Sequence, residues 1–308
     1  MAATEELIRV AVEAGTPLLL ATLGEIYAER SGVLNLGVEG MMLMGAATGF
    51  MVTFVTHNPL LGVVAAAVVG VLLSLVHAFV SITLRANQVV SGLALTMIGL
   101  GLSSLIARKF VGLPLPVRIP TIPIPGLSQI PIIGPGFFNH DPLVYFSYAC
   151  VAILWYVLYK TKMGAAIRAV GENPAAADAM GVNVFLVRYL CVALGGGLAG
   201  IAGAYLSLVY APMWIENMTA GRGWIAIALV VFALWDPLRA MIGAYLFGGL
   251  EAAQFTLQAR GIDPSLLGML PYIATIIVLL IGVKETLRKR IGAPAALCKP
   301  YYREERTL

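Results

Sequence analysis

Apolar residues occur in this chain as long continuous runs, broken by short polar turns, and do not alternate with polar positions. Nine such runs can be marked, at 7–28, 33–56, 60–84, 89–110, 142–160, 184–209, 221–235, 238–258 and 266–283. Most approach the ~20 residues that a helix needs to cross a bilayer. A spanning segment must satisfy its own backbone in lipid, as a helix or in a closed barrel, and these runs are not alternating strands. The expected fold is therefore all-α: a polytopic transmembrane helical bundle of about nine spans, forming a single domain over 1–308. Small residues punctuate the runs, as in Gly195-Gly-Gly-Leu-Ala-Gly200, Gly243 and Gly248-Gly249. Such positions let helix backbones approach closely where lipid gives no hydrophobic drive to association.

Two polar stretches interrupt the pattern. Segment 111–141 holds seven prolines, which lack the amide donor of a helix interior, so it is expected to run extended over the outer face. It serves there as a cap over helix ends or as a landing surface for an external partner. Segment 160–183 reads differently. Asn173 followed by Pro174 is a helix start, Ala175-Ala-Ala-Asp-Ala-Met180 is strong helix former, and Gly181 suits a left-handed stop. That makes about two turns of exposed helix, which are marginal alone in water, so something must pack on them. Their alanine-rich surface fits a groove on another protein. An amphipathic loop resting on lipid headgroups would carry large apolar anchors, and this one offers only Met180.

Composition sharpens the membrane reading. Of the 308 residues, 59% are hydrophobic and 12% charged, against about 25% charged in soluble domains. Mean hydropathy is +0.89. Glu5 and Glu6 stand where a cleavable signal would be positive, so the first helix is expected to be retained. Cys150 and Cys191 fall in apolar runs and Cys298 in the tail, a spacing that suits neither disulfides nor a metal site. With the basic tail 284–308 in the cytoplasm and nine spans, the N-terminus lies outside. Fourteen of the 20 Lys and Arg residues then face inward and six outward. The same bias explains the net charge of +4, and no nucleic-acid partner is expected.

Polar groups inside the apolar runs are candidates for a solute path. Glu39 lies in Gly37-Val-Glu-Gly40 and Arg222 in Gly221-Arg-Gly223. The pair suggests two inverted halves, each opening with a glycine-broken helix. Glu39 is the leading path residue because intramembrane carboxylates are costly, although it could equally satisfy broken-helix amides or pair with an arginine. Asn35 either caps the broken helix or faces the solute, and Asn87 and Gln88 either cap a cytoplasmic turn or gate. Arg222 either lines the path or snorkels to the outer boundary. Glu251 and Gln254, one turn apart, either line the path or join helices. Trp214 and Trp224 fit an interfacial aromatic belt, and Asp236-Pro237 a tight turn. His57, His77 and His140 are scattered and read as structural. There is no Gly-x4-Gly-Lys-Ser/Thr loop, so this chain is expected to bind no nucleotide itself, and it shows no catalytic triad or metal spacing.

The stretch Gly164-x3-Arg168-Ala-x-Gly-Glu-Asn173-Pro-Ala-Ala-Ala177-x3-Gly181-Val resembles the cytoplasmic coupling motif of ABC importer permeases. The similarity is closest to the branch serving ribose, other simple sugars, branched-chain amino acids and nucleosides. Ala176-Ala177-x3-Gly181 fits the wider Glu-Ala-Ala-x3-Gly pattern, with Ala175 in place of the glutamate. Ala28-Glu-Arg-Ser-Gly-Val-Leu-Asn-Leu-Gly-Val-Glu-Gly-Met-Met42 resembles the second-span signature of nucleoside-type permeases, and Thr219-Ala-Gly-Arg-Gly-Trp-Ile-Ala-Ile-Ala228 a later family segment. The similarity covers nearly the whole chain. It implies a non-catalytic permease subunit whose Gly164, Arg168, Glu172, Asn173, Pro174, Ala176, Ala177 and Gly181 meet a separate ATPase, the subunit that uses ATP and Mg. It further implies a second, longer permease, an external substrate-binding lipoprotein, and a bacterial inner or plasma membrane. Nucleosides are the first choice of solute and simple sugars or branched-chain amino acids the second. A stand-alone, ion-coupled secondary transporter is the alternative from another class.

Overall fold

The structure is a computed structural model describing residues 2–258 and 292–303, with single positions or pairs between 263 and 277. Its helices are α1 (Ala2–Arg30), α2 (Val38–Thr56), α3 (Pro59–Ala78, continued as a wider turn over Phe79–Thr83), α4 (Gln88–Ile106), α5 (Ile133–Phe137) and α6 (Pro142–Lys160). There follow α7 (Lys162–Glu172), α8 (Pro174–Ala179), α9 (Val184–Tyr205, continued over Leu206–Tyr210), α10 (Arg222–Phe232) and α11 (Pro237–Gln258). Many of the helices begin at an Asx cap: Asn58, Asn87, Asp141, Asn173 and Asn183 each accept a backbone N–H from the first turn they open. Proline follows the cap at Pro59, Pro142 and Pro174, where its missing donor costs nothing.

Among the described residues six helices are long and apolar enough to cross a membrane: α1, α2, α3, α4, α6 and α9. The polytopic helical bundle is thus observed, with two changes to the expected spans. The run 221–235 contains only the 11 residues of α10, about 16 Å of helix, roughly half a hydrocarbon core. The run 33–56 yields a helix that starts at Val38. The run 266–283 falls largely outside the described residues.

Helices α1, α2 and α9 form the middle, with 67%, 72% and 56% of their most apolar windows buried, against 22% to 28% for α3, α4 and α6. Glycine permits this central packing. A Cβ on Gly200 of α9 would sit 2.2 Å from the Ala66 carbonyl oxygen, and one on Gly45 would sit 2.3 Å from the Gly200 oxygen. Gly195 meets Gly24, and Gly196 meets Gly70 and Ser74, in the same way. Gly200→Ala is therefore expected to lower thermal stability in detergent by about 1–3 kcal/mol, the usual cost of overpacking. Gly197→Ala, whose nearest neighbour is the movable Val71 side chain at 3.2 Å, should be nearly neutral. Equal melting of the two variants would refute the packing argument.

Contacts sort the helix ends onto two faces. On one, Ile132 N–H donates to Glu5, His140 Nδ1 lies 3.7 Å from Glu13, and Val111 bridges to Trp214. On the other, Arg30 donates to the carbonyls of Leu234 and Trp235, and the Arg85 guanidinium stacks over Tyr302. Segments 111–141 and 160–183 lie on opposite faces. The former is not simply extended: β1 (Ile122–Pro123) pairs antiparallel with β2 (Asn139–His140), and α5 holds Pro135 within its first turn, where no intrahelical donor is missed. Trp214 is fully buried (0% exposed) beneath this segment and does not belong to an interfacial belt. Two of the scattered histidines have structural partners, His77 spanning Leu34 O and Ser91 and His140 donating to Gly136 O, while His57 ends α2 in the left-handed region.

Candidate functional site

Two helix breaks meet in the middle of the bundle. The first is the non-helical chain 31–37 between α1 and α2. Backbone groups away from water must find partners within the protein, and four helices supply them here. Leu34 N–H donates to Gln88 (2.8 Å) and Leu34 O accepts from His77 (3.1 Å). Asn35 N–H donates to Glu25 (2.8 Å), and Leu36 O accepts from Thr96 (2.8 Å). Ser31 O accepts from Arg188 (3.1 Å). Asn35 folds its own side chain back to accept from Gly37 N–H at 2.9 Å, a local turn and not a cap on the first turn of α2.

The second break is the chain 211–221 ahead of α10. Glu39, in the first turn of α2 and only 3% exposed, reaches across to it. Oε1 accepts from the Thr219 hydroxyl (2.5 Å) and Gly221 N–H (2.9 Å), and Oε2 from Gly223 N–H (2.6 Å). This puts an anion on the unpaired donors and positive dipole end of α10. A Cβ on Gly223 would lie 2.6 Å from the Glu39 backbone and carboxylate, so only glycine fits there. Gly221, at φ +83°, turns the chain into the helix in the left-handed region. The carboxylate thus takes the structural alternative weighed for it, joining two broken helices through amides.

Arg222 does not snorkel to an interface. Its guanidinium donates to Met218 O and Thr219 O and pairs with Glu251, which also accepts from the Tyr210 hydroxyl at 3.1 Å. Gln254 follows one turn later on α11, half-buried. The fold therefore gathers Asn35, Glu39, Arg222 and Glu251 around the breaks. Gln88 joins them as a buried support of the 31–37 chain, whereas neighbouring Asn87 is exposed and caps α4. Sequence reasoning missed Glu25 and Glu29. Both are buried in α1, Glu25 bonded to Asn35 N–H and Glu29 accepting from Trp235 Nε1 at 2.6 Å. Their i, i+4 spacing just before a glycine-rich break was the available signal.

Segment 160–183 folds as two helices, where one was expected. Thr161 caps α7, which folds back on α6 so tightly that a Cβ on Gly164 would lie 2.1 Å from Val157 O. Arg168 donates to Leu158 O and stacks over Tyr159. Glu172 closes α7, Asn173 caps α8 by accepting from Ala176 N–H at 3.0 Å, and Pro174 is its first residue. Ala177 is buried, while Ala175, Ala176, Ala179 and Met180 (85% exposed) form a small-sided outer face. Gly181 has φ +86°, and a methyl group added to it would meet nothing within 4 Å.

The fold is a polytopic helical bundle with polar side chains buried around its helix breaks. The chain belongs to the family described as the branched-chain amino acid transport system / permease component, which matches residues 7–279. It is the permease component of an ABC transporter, a non-catalytic membrane subunit. It is 44% identical over 97% of its length, and 98% of the relative's, to TsgC13 of Haloferax volcanii, provisionally named a glucose ABC transporter permease. The guanosine ABC transporter permease NupQ of Bacillus subtilis is 36% identical over 94% of both chains. The nucleoside ABC transporter permease NupC of Lactococcus lactis is 37% identical over 86% of this chain and 88% of its own. No solved structure matches the chain. The family implies an ATPase partner and a substrate-binding protein, and sets aside a stand-alone secondary carrier.

Proposed function

We propose that this subunit imports nucleosides, forming the path at the two helix breaks and coupling it through α7 and α8 to a separate ATPase that holds ATP and Mg. The observation that carries the coupling role is the outer face of α8: a capped, glycine-ended helix whose small side chains stay exposed beside a tightly folded α7. Gly164, Arg168, Glu172, Asn173, Pro174, Ala176, Ala177 and Gly181 build that projection, the first three by fixing α7 and the rest by shaping α8. Asn35, Glu39, Gln88, Arg222, Glu251 and Gln254 form the path region, and Asn87 serves as a helix cap. The face holding 160–183 and 292–303 is cytoplasmic, in keeping with the Lys and Arg bias, and the membrane is the inner or plasma membrane. The permease dimer pairs this chain with a second, longer permease, and an external lipoprotein delivers the solute to the opposite face.

Two nucleoside-named relatives of 36% and 37% identity support the solute class, as does the resemblance in 28–42. A simple sugar is the second reading, favoured by the 44% identity to TsgC13. Proteoliposomes carrying the permease pair, ATPase and binding protein should take up radiolabelled guanosine only with internal ATP. Excess adenosine should compete and excess glucose should not; the reverse pattern selects the sugar, and uptake without the ATPase would overturn the coupling role.

A further inference from the structure

A short stretch near the C-terminus crosses the same face as α7 and α8. Ala296 N–H donates to Gly171 O at 2.8 Å, and Ala295 N–H reaches Glu172 at 3.4 Å. The end of α7 is wedged in place: a Cβ on Gly171 would lie 2.1 Å from Arg30 O and 3.3 Å from Pro294. Further along, Arg188, buried in α9, donates both to Ser31 O and, more weakly at 3.4 Å, to Lys299 O. Tyr302 lies under the Arg85 guanidinium, 4.5 Å from ring centroid to cation. The chain thereby touches the α1–α2 chain through Arg188, the α3–α4 turn and the α7–α8 pair.

Tyr301 is the residue on which α8 rests. It is 7% exposed and packs in one cluster with Val170 of α7, Ala177 of α8 and Val184 of α9, its ring 5.8 Å from that of Phe185. Arg303 adds an ion pair to Asp178 at 3.2 Å, but its side chain is 72% exposed and solvent screens such a pair heavily. A helix of six residues cannot hold its shape alone, and Ala177 is the single residue it buries. Of the buried side chains around Ala177, Val170 and Val184 lie on the adjoining chain; Tyr301 comes from more than a hundred residues away and is the largest.

We propose that 292–303 is a strap that fixes α8 against the bundle, with Tyr301 as the positioning residue through which motion passes between α8 and the helices. The proposal rests on reading α8 as the ATPase contact. A loose α8 still binds the ATPase but yields when pushed, so hydrolysis runs on without moving the breaks.

Two measurements test this. In a chain with Cys150, Cys191 and Cys298 replaced, Asp178→Cys with Arg303→Cys should be joined in membranes by a short bifunctional thiol reagent; no cross-link would remove the strap. In the reconstituted transporter, Tyr301→Ala should leave ATPase recovery intact and lower solute moved per ATP hydrolysed by about fivefold or more, the low end of typical coupling energies. Tyr301→Phe keeps the ring packed on Ala177 and loses only the hydroxyl beside Asp178, so it should restore most of the wild-type ratio. An unchanged ratio in Tyr301→Ala overturns the positioning role even where the cross-link forms. Should Tyr301→Ala fail to accumulate, Tyr301→Leu keeps the contact apolar but smaller, and an intermediate ratio is then required. Normal ATPase recovery by Gly181→Arg alongside a formed cross-link would instead remove the docking role of α8 and leave the strap in place.

Discussion

Replacing Gly181 with arginine is expected to abolish recovery of the ATPase with the permease while the permease itself remains folded in the membrane. Two effects combine at this position. The backbone sits at φ +86°, where most L side chains, arginine among them, cost about 1–2 kcal/mol, enough to disturb the stop of a six-residue helix. The site is also open, so a bulky cation would project from the face of α8 proposed to meet the ATPase. Gly181→Asn separates the two, since asparagine tolerates the left-handed region and is small. It should retain most ATPase binding. Affinity pull-down from membranes against size-exclusion behaviour of the permease alone reads both quantities. Intact recovery with Gly181→Arg would show that the ATPase docks elsewhere.

Glu39→Ala should slow uptake at least about tenfold, the factor corresponding to 1.4 kcal/mol, with the transporter still assembling. The reason lies in what the carboxylate holds. Without it the Thr219 hydroxyl and the N–H groups of Gly221 and Gly223 lose their acceptor, and each buried orphan costs about 1–3 kcal/mol. The start of α10 then loosens from α2, and the two breaks no longer move as one. Glu39→Gln keeps one acceptor oxygen but loses the charge opposite the helix dipole, so its rate should fall between those of Glu39→Ala and wild type. Wild-type uptake by Glu39→Ala would exclude Glu39 from the path and from the junction alike.

Much of this was readable along the chain, and the particular residues show why. The helix start at Asn173 is local chemistry, fixed by a side chain three residues from the amide it accepts, so sequence alone places it; Asn58 and Asp141 cap by the same rule, which the structure brought out. The Asn173-to-Gly181 stretch is legible for the same reason. Arg222 misled because a charge near the end of an apolar run looks like an interfacial one until its partner, Glu251 on another helix, is known. Trp214 looked like a belt residue because burial under a loop leaves no trace in hydropathy. Helix α7 was hidden by its short, polar, glycine-containing sequence; its folding back on α6 depends on Gly164 fitting against Val157.

By itself, the order of residues determined that the chain is a polytopic helical bundle, roughly where its apolar helices run, and that a short capped helix follows Asn173. Each of these follows from hydropathy, caps and spacing, interactions that act within a few residues. Only the tertiary arrangement decided that the two glycine-flanked breaks meet, that Glu39 ties one to the other, that Glu25 and Glu29 are buried, and that Tyr301 returns to support α8. Those outcomes depend on contacts between segments up to about two hundred residues apart, as between Glu39 and Gly223, and no local pattern records which buried donor a distant acceptor will find.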